Sequence, residues 1–274
     1  MVVISELFNF ALPPLSLLLL TILMLPSLIF KLLMHVRKSL RKENVASKVV
    51  LITGAASGIG EQIAYEYARR GAKLSLVDIR KEKLVAVSDK ARSLGSPDVT
   101  TIAADVSKVQ ECKRFVDETF NYFGRLDHLV NNAGISGKPV TVENMRDISE
   151  YTAVMASKAA ITNFFETLRM EAGTAFGITI ATPGFIKTDL TLKAKFELKG
   201  VMGTVPMGSA SECAKAIVES ACRGDMYVTD PSWYKVLFPW KVLHPQIVDW
   251  ALNLICPNKS AMKGNLMMPE HKTE

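Results

Sequence analysis

The stretch from Lys48 to Asp78 constrains the fold more than any other part of the chain. Val49-Val50-Leu51-Ile52 is apolar without alternation, as expected of a parallel strand buried on both faces. It runs into Thr53-Gly54-Ala55-Ala56-Ser57-Gly58-Ile59-Gly60, and Glu61 to Arg70 then predicts a helix that Gly71 ends. Lys73 to Val77 predicts a second strand, closed by Asp78. A strand that turns through spaced glycines into a helix and returns beside itself opens a doubly wound parallel α/β sheet. The glycines let backbone amides approach a pyrophosphate, and the helix amino terminus supplies partial positive charge. A glycine turn with no ligand would use the same residues, but would need no acid at the end of the next strand.

The alternation continues. Thr101 to Ala104 predicts a third strand leading into Asp105-Val106, and Leu126 to Val130 a fourth leading into Asn131-Asn132-Ala133-Gly134. Asp78 would accept bonds from the adenosine ribose hydroxyls of a dinucleotide and repel a 2′-phosphate. Arg80, two residues on, would instead meet that phosphate, so NAD(H) and NADP(H) both stay open on these residues.

Ahead of this domain, Leu7 to Phe30 carries no charge over 24 residues, and about 20 suffice for a helix to cross a bilayer. No basic region precedes the run and no small-x-small cleavage site follows it, so a removed signal peptide is not expected. Pro13-Pro14 and Pro26 each remove a backbone donor. They predict a kinked transmembrane span or a segment that dips into one leaflet and returns. The formal charge of +6 is concentrated next door, where Lys31, Arg37, Lys38, Arg41, Lys42 and Lys48 stand against Glu43 alone. That placement predicts a signal-anchor facing a membrane or oil-body monolayer, with residues 31 onward in the cytosol. The nearly neutral remainder argues against a nucleic-acid groove. Cys112, Cys213, Cys222 and Cys256 form no CxxC pair and have no histidine at metal spacing, so reduced structural thiols and no metal are expected.

With TGxxxGIG at Thr53 to Gly60, Asp105-Val106 and NNAG at Asn131 to Gly134, the chain resembles the short-chain dehydrogenase/reductase family. The proline-bearing apolar segment before such a domain is similar to that of the steroleosin branch, the plant oil-body relatives of 11β-hydroxysteroid dehydrogenase. The resemblance covers most of the chain, including the Trp-containing piece from Tyr227 to Trp250. It implies that Gly54, Ser57, Gly58, Ile59 and Gly60 line the phosphates and that Asp105 and Val106 hold the adenine. It implies that Asn131, Asn132, Ala133 and Gly134 pack against the adenosine and stabilise the sheet. Lys158, within Ala156-Ser157-Lys158-Ala159-Ala160, matches the lysine that binds the nicotinamide ribose and lowers the pKa of a catalytic tyrosine. Thr188, after Pro183-Gly184, matches a hydroxyl near the nicotinamide carboxamide. Family habit leans to NADP(H), with NAD(H) open because of Asp78. The implied activity is oxidation or reduction of a steroid or other lipophilic alcohol or ketone, at an oil-body or endoplasmic reticulum surface.

The catalytic half departs from that pattern. The family's tyrosine stands four residues before the lysine, one helical turn away, and that position here is Val154, which cannot donate a proton. Tyr151 is seven residues before Lys158, two turns or about 10 Å along a helix. Gly134 and Lys158 are 24 residues apart, whereas one βαβ step takes about 30 or more. Residues 135 to 154 hold no β-branched apolar run for a strand, and no candidates for the family's serine and asparagine. The reading is of a family member with an internal deletion, inactive as it stands and still able to hold cofactor. The alternative is a non-catalytic lipid-surface protein whose anchor is its function.

The expected organisation is an apolar anchor over 1–34, a basic segment over 35–47, a dinucleotide-binding half over 48–134, a shortened catalytic half over 135–230 and a Trp-containing extension over 231–274. The sheet should be one strand short. The helix from Met155 to Met170 should cross from the fourth strand to a strand at Gly177 to Ala181, closing the sheet up by one position. Residues after Thr188, through Ser209, form the family's variable substrate loop, and no physical rule converts them into a particular substrate or a homo-oligomeric state.

Overall fold

In the computed structural model of the chain, residues 2–40, 42–135, 148–192 and 206–255 are described. Two units separate, Met1–Glu43 and Asn44–Glu274.

The first unit is one helix, α1 (Val2–Leu40), which runs through Pro13, Pro14 and Pro26. The expected turn back within one leaflet is therefore not formed. Hydroxyls in the run fold onto the helix itself: Ser16 donates to the Pro13 carbonyl at 2.8 Å, Thr21 to Leu18 at 2.7 Å and Ser27 to Met24 at 2.8 Å. The large apolar side chains described between Phe10 and Phe30 are more than half exposed. Among the described residues no helix is long and apolar enough to cross a membrane. The expected transmembrane span is therefore not supported.

The second unit begins with the strands and helices that the alternation predicts. In chain order they are β1 (Val49–Thr53), α2 (Gly58–Arg69), β2 (Lys73–Asp78), α3 (Lys81–Ser93), β3 (Val99–Ala103), α4 (Val109–Phe123) and β4 (His128–Val130). The four strands form one parallel sheet in the order β3-β2-β1-β4. Side chains alternate between its faces. Val50, Ile52, Leu74 and Leu76 join a core closed by α2 and α3, whereas Leu51 and Val77 join a second core with Ile102 and Phe115 of α4. Ser75, on the α4 side, shares a hydrogen bond of 2.6 Å with Thr119, so this buried hydroxyl pair is satisfied.

The remaining elements are α5 (Ile148–Ala172), β5 (Ile180–Ala181), β6 (Ile186–Lys187), β7 (Gly208–Ser209), α6 (Ala210–Arg223), β8 (Tyr227–Val228), a 3-10 turn at Ser232–Val236, α7 (Leu237–Leu243) and α8 (Pro245–Ile255). Helix α6 completes the first core through Ala214, Val218 and Cys222. Burial pushes the thiol of Cys213, on the same helix, up to about 12, so it acts as packing rather than as a nucleophile.

Here the sheet departs from expectation. β5 does not close up against β4; it pairs in parallel with β8, Ile180 opposite Tyr227, while β6 pairs with β7. α5 therefore does not serve as a crossover within one sheet. β5 has β8 as its partner, and among the described residues β4 has no strand on the edge away from β1. Leu129 on β4 is left 49% exposed, which an interior strand would not allow. Ile161 and Phe164 of α5 are exposed, and the helix is tied down near its C-terminal end. Arg169 donates to the Met226 carbonyl at 3.0 Å and lies over the Tyr227 ring, whose hydroxyl donates to Glu166 at 2.8 Å.

Candidate functional site

The site is built at the C-terminal ends of β1, β2 and β4, where an open parallel sheet presents its loops. After Thr53 the chain turns through Gly54 and Gly58, both left-handed with φ of 67° and 65°, a conformation that a Cβ would strain. Gly60 is required for a different reason: a Cβ there would overlap the Gly54 carbonyl oxygen and Asn132 Nδ2. The loop from β4 is thus packed directly on the glycine turn.

Thr53 fixes that packing. Its hydroxyl donates to the Val130 carbonyl at 3.2 Å and accepts from the Asn132 and Ala133 amides, both at 3.1 Å. Asn132 Nδ2 returns to the Thr53 and Gly54 carbonyls at 3.1 and 3.3 Å. Asn131 and Gly134, which complete the predicted loop, are exposed. Thr53 is absent from the predicted site set because its part is to hold other residues rather than to touch a ligand. Its position at the strand end was the available signal.

α2 starts at Gly58 with Ser57 as its first flanking residue, and the Ser57 side chain makes no capping bond. Its hydroxyl instead accepts from Arg80 Nη2 at 2.9 Å. The first-turn amides of Gly58, Ile59 and Gly60 thus have no side-chain cap, a disposition suited to an anion.

Asp78 and Arg80, read from sequence as opposing determinants, bind each other. Asp78 Oδ1 accepts from the Arg80 backbone amide at 3.0 Å and from Nε at 2.9 Å; Oδ2 accepts from Arg80 Nη2 at 3.0 Å and the Ala56 amide at 3.1 Å. Burial pulls the Asp78 carboxyl upward, but the Arg80 side-chain bond, the Arg80 and Ala56 amides and the guanidinium charge outweigh it and hold the carboxyl below its usual range. The same bond raises Arg80, with Asp189 adding a smaller push. The acid alone therefore does not set the charge at the end of β2. The Arg80 side chain is 43% exposed and that of Asp78 is 4% exposed, so the cation faces outward.

Asp105 caps the turn into α4, accepting from the Ser107 amide at 3.0 Å and its hydroxyl at 2.7 Å; these bonds, the amide first, lower its pKa. Val106 beside it is 40% exposed, as a wall for a ring would be.

From the shortened half, Thr188 is placed against this cradle. Its methyl lies 3.3 Å from where a Cβ on Gly58 would stand, and its amide and hydroxyl are tied to Thr191 Oγ1 at 3.0 and 3.1 Å. Lys158 sits exposed on α5, and its side chain has no hydrogen-bond partner among the described residues. Val154, one turn before it, is 6% exposed. Tyr151 lies on the same unbroken helix, two turns before Lys158. The substrate loop falls partly outside the described residues, at 193–205. A contact with no local sequence signal joins the extension to this side. The Tyr234 ring covers Gly184, where a Cβ would overlap it, and its hydroxyl accepts from the Phe185 amide at 3.4 Å.

Three comparisons bear on this arrangement. The family model described as short chain dehydrogenase matches residues 48–155. Among curated proteins, 11-beta-hydroxysteroid dehydrogenase 1A of Arabidopsis thaliana is 42% identical over 285 residues, covering 84% of this chain and 81% of that protein. 11-beta-hydroxysteroid dehydrogenase-like 2 of the same plant is 42% identical, covering 92% and 95%, and 11-beta-hydroxysteroid dehydrogenase A of Sesamum indicum is 39% identical over 307 residues, covering 92% and 88%. An aligned stretch of 285 positions exceeds the 274 residues of the whole chain while using only 84% of it, so many residues of the relative face gaps here. Among solved structures, levodione reductase superposes with a TM-score of 0.61 at 24% identity, over 70% of this chain and 99% of its own. A short-chain dehydrogenase/reductase from Burkholderia phymatum in complex with NAD gives 0.60 at 20% identity, over 74% and 96%. These two likenesses speak to the fold.

Proposed function

Because this chain belongs to the short-chain dehydrogenase family and resembles its plant 11-beta-hydroxysteroid dehydrogenases, we propose that it is a lipid-surface member that holds a nicotinamide dinucleotide but lacks the residues to turn it over. The family's cofactor is NAD(P). The glycine turn has no room for side chains and the first-turn amides carry no side-chain cap, so this chain's residues fit a pyrophosphate. Asp78, Arg80, Asp105, Val106 and Asn131 to Gly134 would hold the adenosine end, and Thr188 would serve the nicotinamide end. NADP(H) is favoured because Arg80 neutralises Asp78 and faces outward, so a 2′-phosphate meets a cation rather than a bare carboxylate.

When bound, such a cofactor supplies hydride exchange with a lipophilic alcohol or ketone, of which the relatives' names suggest a steroid. The matching proton needs an acid/base group, and the observation that carries the inactive reading is Val154. On the continuous helix α5 it occupies the place one turn before Lys158 and is buried. Loss of a positioned acid/base costs about 10²–10⁴-fold in that step. The lipid-surface reading rests on α1, whose described apolar side chains are exposed all round and whose hydroxyls are bonded inward.

The test is a turnover assay of the purified chain with a hydroxysteroid and each cofactor, paired with a melting curve on adding cofactor. The expected result is a raised melting temperature, larger for NADP(H), without turnover, and Arg80→Ala should reverse that preference. Turnover that vanishes in Tyr151→Phe would overturn the inactive reading, and no thermal shift with either cofactor would overturn the binding reading. A chain lacking residues 1–42 should leave the membrane and oil-body fractions. Its retention there would overturn α1 as the anchor.

A further inference from the structure

The loop that leaves β3 is tied at successive backbone groups, and the side chains that tie it come from one turn of α4. The Ala104 amide donates to the Asp78 carbonyl at 3.1 Å, and the Asp105 carbonyl accepts from the Lys108 amide at 3.1 Å. To these, α4 adds three side-chain bonds. Glu111 Oε2 accepts from the Asp105 amide at 3.3 Å, Cys112 Sγ donates to the Val106 carbonyl at 3.4 Å, and Arg114 Nη2 donates to the Ala103 carbonyl at 2.8 Å. Arg114 Nη2 also donates to Glu111 Oε2 at 3.1 Å, so the two side chains fix each other. Loops are ordinarily the mobile part of a fold. This one is bonded residue by residue from Ala103 to Val106.

We infer that Glu111 is a positioning residue for the adenine end of the dinucleotide, holding the Asp105–Val106 wall in shape through the Asp105 amide and Arg114. This role rests on the cofactor-holding reading above and deepens it: affinity for the adenosine end is set partly from α4. A wall already in its binding shape loses less freedom when the ligand arrives. The supporting side chains touch backbone, which leaves the Val106 side chain 40% exposed to meet a ring. Through the Ala104 amide on the Asp78 carbonyl, the wall is also joined to the strand end that carries the Asp78–Arg80 pair. Glu111 is an acid in the first turn of a helix, which the helix dipole favours by itself. The two roles separate cleanly, because the dipole needs a charge and the Asp105 amide needs only an acceptor oxygen.

The full chain is titrated with NADP(H) and NAD(H), and with adenosine 2′,5′-bisphosphate and ADP, which carry only their adenosine ends. Glu111→Ala removes the acceptor, whereas Glu111→Gln removes the charge and keeps an acceptor. The expected result is a loss of roughly fivefold in affinity in Glu111→Ala, equal for a cofactor and its adenosine half, with Glu111→Gln within about twofold of the parent. Cys112→Ala, which removes a second tie, should weaken the same ligands. Amide hydrogen exchange at residues 104–106 should quicken in Glu111→Ala and stay unchanged in Glu111→Gln. Unaltered affinity in Glu111→Ala, with or without a lower melting temperature, would overturn the positioning role and leave the cofactor reading standing. An equal loss in Glu111→Gln would assign the effect to the charge on the helix, and a loss confined to the intact cofactors would assign it to their nicotinamide end; either would overturn the role. A parent chain that binds none of the four ligands would overturn both readings.

Discussion

Residues 44–135 and residues 148–230 draw on the same helices, short strands and apolar side chains, yet they treat those side chains differently. In the first region Leu51, Ile52, Leu74 and Leu76 are fully buried; in the second Ile161 and Phe164 of α5 are 56% and 60% exposed. The first has strands with neighbours and helices over both faces. Apart from α6, which packs into the first core, the described part of the second has two-residue pairs and a helix tied by a few polar contacts to β8. Burial follows from the neighbours a strand or helix finds, and among the described residues no strand pairs with the edge of β4 away from β1.

The sharpest way to break this comparison is a pair of truncations. Leu74→Ala, inside the first core, should cost about 2–5 kcal/mol by deleting buried methyl groups and leaving a cavity. Phe164→Ala on α5 should stay within about 0.5 kcal/mol. Urea denaturation of the two variants measures both. A comparable loss from Phe164→Ala would mean that α5 is packed in solution and that the two regions are not different.

A glycine pair tests the same contrast at the backbone. Gly60→Ala forces a Cβ onto the Gly54 carbonyl and Asn132, and overpacking of this kind costs about 1–3 kcal/mol. Gly177→Ala, with nothing within 4 Å of the new Cβ, should be neutral within about 0.5 kcal/mol. Gly60→Ala should also abolish the thermal shift on adding cofactor. An unaltered melting temperature and shift in Gly60→Ala would show that the loops from β1 and β4 are not in contact.

The smallest effect sharpens the polar side of the first region. The folded Asp78 carboxyl lies below its ordinary value of 3.8. Its ionised form therefore adds stability that is fully present above the unfolded value of about 3.9 and is lost as pH falls through the folded one. The difference in urea midpoint between the parent chain and Asp78→Asn should be constant from about pH 5 to 7 and shrink below about pH 4. A difference that widens on acidification would mean that Arg80 does not hold the carboxylate.

Much of the first region was legible because its signals are local. The run Val49 to Ile52, the glycines at 54, 58 and 60 and the acid at 78 each constrain their own neighbourhood, and the strands formed there with ends moved by a few residues. The residue one turn before Lys158 was equally legible: Val154 is a matter of spacing along one helix, and α5 is continuous through both.

Other features were settled between residues far apart in the chain. Asp78 and Arg80 were read as rivals, but side-chain reach made them partners with Ser57. Tyr234 came to rest on Gly184 across 50 positions. β5 did not join β4 as expected; it paired with β8 instead. Sequence thus determined which segments could be strand or helix, since period and turn chemistry act over a few residues. Tertiary structure decided which edges met, since strand pairing is a competition among distant partners and no residue carries the identity of its neighbour.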